Sequence, residues 1–297
     1  MRYGNCISHK NTKYIKTLKH IGFDYVETAL APLYYAGQPE LSDFFDALGE
    51  NNIKCEAVNN LFPGDVALTG EKADFGKVES YVSEVFEKTK NLGFKIVVFG
   101  SGAARRVPDG FPKERAIGQI IGVINHYLIP AAEKYDFTVA IEELHKGVNN
   151  IINTLDEAEY IAEQVNHPRV KIVADLCHIA LENTDINAVK KLCGKNLIAH
   201  CHISNPYNNY FYPHESDSIE CLKLYGSFFC ALQSGGYGGR MSIEAVCGGL
   251  ASGAHTDFPG WVTEDGDKIF YAESKKSLDF MKGLLKSKTN YAERVNL

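Results

Sequence analysis

VKIVAD, residues 170–175, has the length and β-branched content of a buried strand, yet it ends on an aspartate that such a strand would otherwise avoid. Three further apolar runs share this design: FTVAIEE (137–143), NLIAHCH (196–202) and MSIEA (241–245). Together the four runs carry Glu142, Asp175, His202 and Glu244 at or near their ends. If the strands are parallel and closed into a barrel, the four side chains converge on one rim. Two or three carboxylates and one imidazole suit Mn²⁺, Mg²⁺, Co²⁺ or Zn²⁺, with coordination positions left for a substrate.

Upstream, RYGNC (2–6), DYVETA (24–29), IKCEAVN (53–59) and KIVVFG (95–100) read as four more strands. Helical spacing of apolar residues falls between them, over 11–20, 39–50, 71–92, 113–134, 155–166, 185–193, 218–234 and 270–287. Thr154 with Glu157 three residues on predicts a capped helix start, and Gly22 and Gly93 predict helix ends. Eight strand–helix units without a composition break predict an α/β protein, a single (β/α)₈ TIM barrel over residues 1–297. A doubly wound sheet would need a glycine-rich phosphate turn after its first strand, and none follows Cys6.

The 297 residues, 45% hydrophobic, suffice for one such barrel. The net charge of −6, with no basic block, argues against a nucleic-acid partner. Lys275, Lys276, Lys282, Lys286 and Lys288 alternate with apolar residues and predict the wet face of a last helix. No run of about 18 apolar residues occurs, so no membrane span is expected. The opening MRYGNCISHK turns polar at once and is not expected to act as a signal peptide. Eight cysteines without a CxxC pair read as reduced, buried thiols, and a cytoplasmic location is expected.

Barrel active sites lie on the loops that follow the strands. Two of these loops are long, one running from Asn59 through LFPGDVALTG and the other from Ser204 through NPYNNYFYPHESD. The second carries Tyr207, Tyr210, Phe211 and Tyr212, which suit either packing against the barrel or a wall for an aromatic or sugar ring. Each candidate ligand also has a plainer explanation. Only one of Glu142 and Glu143 can face the interior, Asp175 is a natural helix cap, and His202 has His200 on the same face. A buried glutamate such as Glu244 is hard to explain without a partner. His145 and His178 each lie three residues beyond a candidate ligand, in EELH and ADLCH, where an imidazole can carry protons or bind substrate.

These residues bring a family into view. The chain resembles the xylose isomerase-like TIM barrels grouped as sugar phosphate isomerases/epimerases, which include the ketohexose 3-epimerases. The likeness spans nearly all of the sequence and rests on GFDYVE (22–27), CEAVNNLFPGD (55–65), VFGSGAARRVPDGF (98–111), AIEEL (140–144), ADLCH (174–178), HCHIS (200–204) and GYGGRMSIE (236–244). It implies a metal, often Mn²⁺, held by Glu142, Asp175, His202 and Glu244, with His178 binding substrate. It further implies proton abstraction beside a carbonyl, with the two glutamates working on opposite faces of the sugar.

Two positions depart from the epimerase pattern: the family's second substrate Glu falls on Val148 and its substrate Arg on Asn208. Where epimerases tend to have Asn, this chain has His145. These departures look like the catalytic α subunit of bacterial C-glycoside deglycosidases, which use Mn²⁺. By that resemblance the protein is a carbon–carbon lyase acting on a 3-oxo-glucosyl C-glycoside. His145 is then the base, the loop with Asn208 and Tyr210 borders the aglycone, and a small β-rich second subunit is the partner. The alternative is a ketose 3-epimerase or sugar (phosphate) isomerase, with Arg105 and Arg106 in GSGAARR offering an anion site for a phosphate.

Overall fold

The computed structural model describes residues 1–245 apart from 208 and 216, and residues 264–286, with side chains of the last segment from 267 onward. Eight parallel strands close into a barrel in chain order: β1 (Arg2–Cys6), β2 (Tyr25–Ala29), β3 (Lys54–Asn59), β4 (Ile96–Phe99), β5 (Thr138–Ile141), β6 (Val170–Asp175), β7 (Ile198–Ile203) and β8 (Arg240–Ile243). The expected (β/α)₈ barrel is the observed one, and β1 and β8 pair to seal it. Around it lie α1 (Lys13–Ile21), α2 (Leu30–Tyr35), α3 (Gln38–Glu50), α4 (Phe75–Thr89), α5 (Lys113–Val123), α6 (Ile129–Tyr135), α7 (Leu155–Val165), α8 (Leu176–Leu181), α9 (Ile186–Gly194), α10 (Ile219–Ser234) and α11 (Glu264–Lys286).

Strand residues alternate between two cores. Tyr25, Ala57, Ile96, Val98, Ala140 and Val173 form a small cluster inside the barrel. Their neighbours, such as Val26, Val58, Val97 and Val139, join the larger core between strands and helices. Helix ends follow the local chemistry. Thr154 Oγ1 accepts the Glu157 N–H at 3.2 Å, and Gly22 and Gly93 adopt the left-handed conformation that ends their helices.

The helix expected over 113–134 is interrupted. Between α5 and α6 the chain takes a π-helical stretch, Ile124–Leu128, just before Pro130. Proline has no N–H to give the carbonyl one turn back, and the wider turn absorbs the mismatch. Helices α2 and α8, six residues each, are too short for apolar spacing to announce.

Lys275, Lys276 and Lys286 lie on the exposed face of α11 as expected, with Lys282 half-buried; Lys288 lies outside the described residues. None of the seven cysteines among the described residues forms a disulfide; five are buried, but Cys230 is exposed. Cys247 is not among those described. Among the described residues no helix is long and apolar enough to cross a membrane.

Of the two readings of the aromatic loop after β7, packing is the one its buried rings follow. Tyr210 is only 4% exposed and sits in the main core. Phe211 is fully buried against Tyr225 of α10, 4.8 Å between ring centroids, and Phe280 of α11, 5.2 Å away. Tyr212 is tied to Glu273 and stacks on His214. α10 and α11 cover Phe211, and Tyr210 packs in the core where a substrate contact was expected. Tyr207, 65% exposed, is the ring left open. Asn208 lies outside the described residues.

Candidate metal centre and active site

The strand ends converge. Glu142 is the first residue past β5, its N–H bonded to Phe99 O, and Glu244 the first past β8, bonded to Ile203 O. Asp175 closes β6 and pairs in register with His202 of β7. One ligand atom from each of Glu142, Asp175, His202 and Glu244 lies within 4.8 Å of the others. His202 Nδ1 is the hub, 2.5 Å from Glu142 Oε1, 2.8 Å from Glu244 Oε2 and 3.7 Å from Asp175 Oδ2.

This donor set fits a divalent cation. An imidazole nitrogen carries at most one proton, and three carboxylate oxygens cannot all be satisfied by it. Burying three carboxylates around one imidazole is otherwise costly. The electrostatics record the crowding. Burial pushes Glu244 up to about 7, against the pull of His202. Burial acts to raise Glu142 as well, but there the adjacent His202 prevails and holds it below its usual value. For His202, burial opposes the charged form and is overcome by Glu244, Glu27 and Glu142, which raise its pKa well above the ordinary imidazole value.

Neighbouring groups aim the candidate ligands. Asn59 at the end of β3 donates Nδ2–H to Glu244 Oε1 at 2.9 Å. Asp175 does two jobs: Oδ1 accepts the His178 N–H at 2.8 Å and caps α8, while Oδ2 faces His202. Gly100 leaves the space Glu142 occupies, since a Cβ there would overlap Glu142 Oε2. Gly100→Ala is therefore expected to lower divalent-ion affinity about tenfold or more, the scale seen when a supporting group is lost, while far-UV circular dichroism stays unchanged. Wild-type affinity in this variant would show that the cation does not need the Glu142 carboxylate held in the space beside Gly100.

Glu143 points away from His202 and is fully buried, Oε1 accepting the Asp175 N–H at 3.2 Å while Oε2 has no hydrogen-bond partner. Burial, reinforced by Asp175, raises its pKa well above the usual carboxylate value. A group raised on folding stabilises the protein below its unfolded pKa and loses that contribution as pH rises through the folded value. In chelator-stripped protein, wild type should therefore lose stability relative to Glu143→Gln as pH rises above roughly 4.5, by up to about 1.4 kcal/mol per pH unit until the folded pKa is passed. Urea unfolding of both proteins between pH 4.5 and 8 reads this directly, and parallel curves would mean that Glu143 is ionised in the fold.

His145 and His178 are neighbours at the rim, ring centroids 5.2 Å apart. His178 and Asp175, with Cys177, also bring ligand-type atoms within 4.8 Å of one another. His178 Nδ1 is buried without a partner. His145 Nδ1 accepts the Gly147 N–H at 3.1 Å, and a side chain at 147 would collide with the imidazole. Burial, with His178 nearby, lowers the His145 pKa.

Arg105 is turned away from any anion in solution, while Arg106 is exposed. Arg105 is completely buried and donates to Phe99 O at 2.8 Å and Glu142 O at 2.6 Å, while Arg106 donates to Val148 O at 2.6 Å. Burial lowers Arg105 to about 10, so it remains charged at neutral pH behind the strand that delivers Glu142. One central residue escaped the sequence reading. Glu27 of β2 is fully buried and meets both histidines of β7. Burial would raise its pKa, and His202 and His200 reverse this, holding it well below the usual carboxylate range.

Among curated proteins, the chain is similar to a D-psicose 3-epimerase of Ruminiclostridium cellulolyticum, 22% identical over 198 residues that make up 64% of either chain. Among solved structures, it resembles D-psicose 3-epimerase with D-tagatose from Clostridium cellulolyticum H10, with a TM-score of 0.74 at 19% identity over 96% of this chain and 99% of that one. It also resembles the 3-keto-D-glucoside 4-epimerase YcjR of E. coli, with a TM-score of 0.70 at 16% identity over 95% and 99%. At these identities the superpositions speak for the fold. The family profile described as xylose isomerase-like TIM barrel matches residues 15–263, which take in strands β2 to β8 and all four clustered residues, and the chain belongs to that family.

Proposed function

We propose that the protein is a divalent-metal-dependent epimerase or isomerase of a keto sugar, moving a proton on the carbon beside the ketone. The observation that carries this reading is the meeting of Glu142 and Glu244 at one imidazole nitrogen, 2.5 and 2.8 Å from His202 Nδ1. Glu142, Asp175, His202 and Glu244 would hold the cation, Mn²⁺ by family resemblance. Bound there, it would polarise the sugar's carbonyl or adjacent hydroxyl oxygen and acidify the neighbouring C–H. Glu142 and Glu244 come from β5 and β8, with β6 and β7 between them, so they flank a sugar laid across the mouth. One takes the proton and the other returns one to the opposite face. His178, in the helical turn capped by Asp175, would bind a substrate hydroxyl.

The comparisons support this branch, since the relatives named above are a ketose 3-epimerase and an epimerase of a keto-glucoside. A phosphorylated sugar is disfavoured by the burial of Arg105. His145 fits a positioning role better than that of base. With Nδ1 accepting from Gly147, its neutral form keeps the proton on Nε2, a donor to substrate oxygen and not a bare nitrogen.

A second reading, the 3-oxo C-glycoside lyase with a small β-rich second subunit, draws on the same His145–His178 pair and on exposed Val148, where the epimerase pattern has a substrate glutamate. It requires His145 to release the Gly147 N–H before it can act as base. The cytoplasmic setting expected from the thiols belongs to either reading.

The test is incubation of Mn²⁺-loaded protein with free ketohexoses, 3-oxo-O-glucosides and 3-oxo-C-glucosides, products being followed by NMR. Epimerised sugar supports the proposal, and release of an intact aglycone from the C-glucoside alone sinks it. His145→Ala sharpens the choice. Under epimerisation kcat should stay within about tenfold and KM rise, whereas loss of a general base would lower kcat about 10²–10⁴-fold.

A further inference from the structure

Glu27 takes no part in the chemistry above, yet it is fully buried beside the centre. Oε1 lies 2.9 Å from His202 Nε2, and Oε2 lies 2.8 Å from His200 Nε2 and 2.6 Å from Ser242 Oγ. Ser242 Oγ is in turn 2.9 Å from the Tyr25 hydroxyl. Among the described residues its ion pairs are with the two histidines alone. The residues come from β2, β7 and β8, strands not all adjacent, so the arrangement spans the barrel interior. Room for it comes from Gly4, where a Cβ would overlap the Tyr25 ring and approach Ser242 Oγ to 2.9 Å.

An ionised carboxylate can only accept, so each imidazole facing it must present N–H. For His202 this keeps the proton on Nε2 and turns Nδ1 toward Glu142, Asp175 and Glu244. His200 makes the same bond from Nε2, but its Nδ1 is buried with no partner. Two histidines on one strand face are thereby given different tasks, one aimed at the ligand cluster and one acting as a donor to Glu27. We infer that Glu27 is the positioning residue of the metal centre: it fixes the ring plane and tautomer of His202 so that Nδ1 is the nitrogen offered to the cation. This rests on the metal-centre reading given above.

Glu27→Gln replaces one acceptor oxygen by an amide that donates, so it cannot serve both imidazoles. The probes are Co²⁺ titration by calorimetry and ¹⁵N NMR of the histidine rings in Zn²⁺-loaded protein. Expected are one Co²⁺ per wild-type chain, a 10–100-fold loss of affinity in Glu27→Gln, and wild-type spectra with His202 protonated at Nε2 and ligated through Nδ1. Glu27→Asp, which keeps the charge, should recover part of the affinity. Wild-type affinity in Glu27→Gln, or ligation of His202 through Nε2, overturns the role of Glu27 while leaving the centre in place. Absence of any Co²⁺ binding by wild type overturns the centre itself and this inference with it. The wild-type spectrum decides the matter even if the variants fail to fold.

Discussion

Glu142→Gln and Glu244→Gln should each lower interconversion of the keto sugar about 10²–10⁴-fold, the range for losing a positioned acid or base. The two losses should differ in kind. Each variant keeps one carboxylate on one face of the sugar, so in D₂O each should still exchange the reacting C–H of one epimer, and the two variants should serve opposite epimers. Asn59 supports only Glu244, through its bond to Oε1, so Asn59→Ala should resemble a mild form of Glu244→Gln. Equal residual exchange of both epimers by either variant would place the proton carrier elsewhere, with His145 the first candidate. Metal content must be matched in these assays, because both residues are proposed ligands.

Stripping the metal should have the second largest effect. A ligand that binds only the folded protein at about 1,000 times its Kd adds about 4 kcal/mol. For a chain of 297 residues that is a Tm shift of roughly 6–7 °C. EDTA should produce the drop, Mn²⁺ should reverse it, and His202→Ala should respond to neither. The shift should also depend on pH. Burial raises Glu244 to about 7, so in the metal-free fold it keeps a proton up to neutral pH and gives up that contribution as pH rises through 7. A cation must displace the same proton. Both effects make added metal more stabilising at pH 8 than at pH 5.5. A pH-independent shift would mean that Glu244 does not compete for the cation.

Much of this arrangement was legible in the chain. Strand periodicity located all eight strands to within two or three residues, because both faces of a barrel strand are buried and the apolar runs are nearly continuous. Asp175, His202 and Glu244 stood out because a buried run resists charge. Glu27 meets the same criterion inside YVETA, yet it passed unnoticed because it does not end its run and its partners lie on strands 7 and 8, far away in sequence. Arg105 misled for a similar reason: a basic pair beside glycines resembles an anion site until the fold shows Arg105 buried, its two terminal nitrogens donating to backbone carbonyls. The composition of the loop after β7 left packing and a ligand wall both open. Its rings are apolar enough for a ligand wall, but α10 and α11 cover Phe211 while Tyr210 is buried in the main core. No local pattern distinguishes a ring waiting for a ligand from one already packed.

The most direct measurement is anomalous X-ray diffraction from crystals of the Mn²⁺-loaded protein. A single peak bonded by Glu142, Asp175, Glu244 and Nδ1 of His202 is the predicted result. A map without that peak, or with manganese bound only by other residues, would contradict the account.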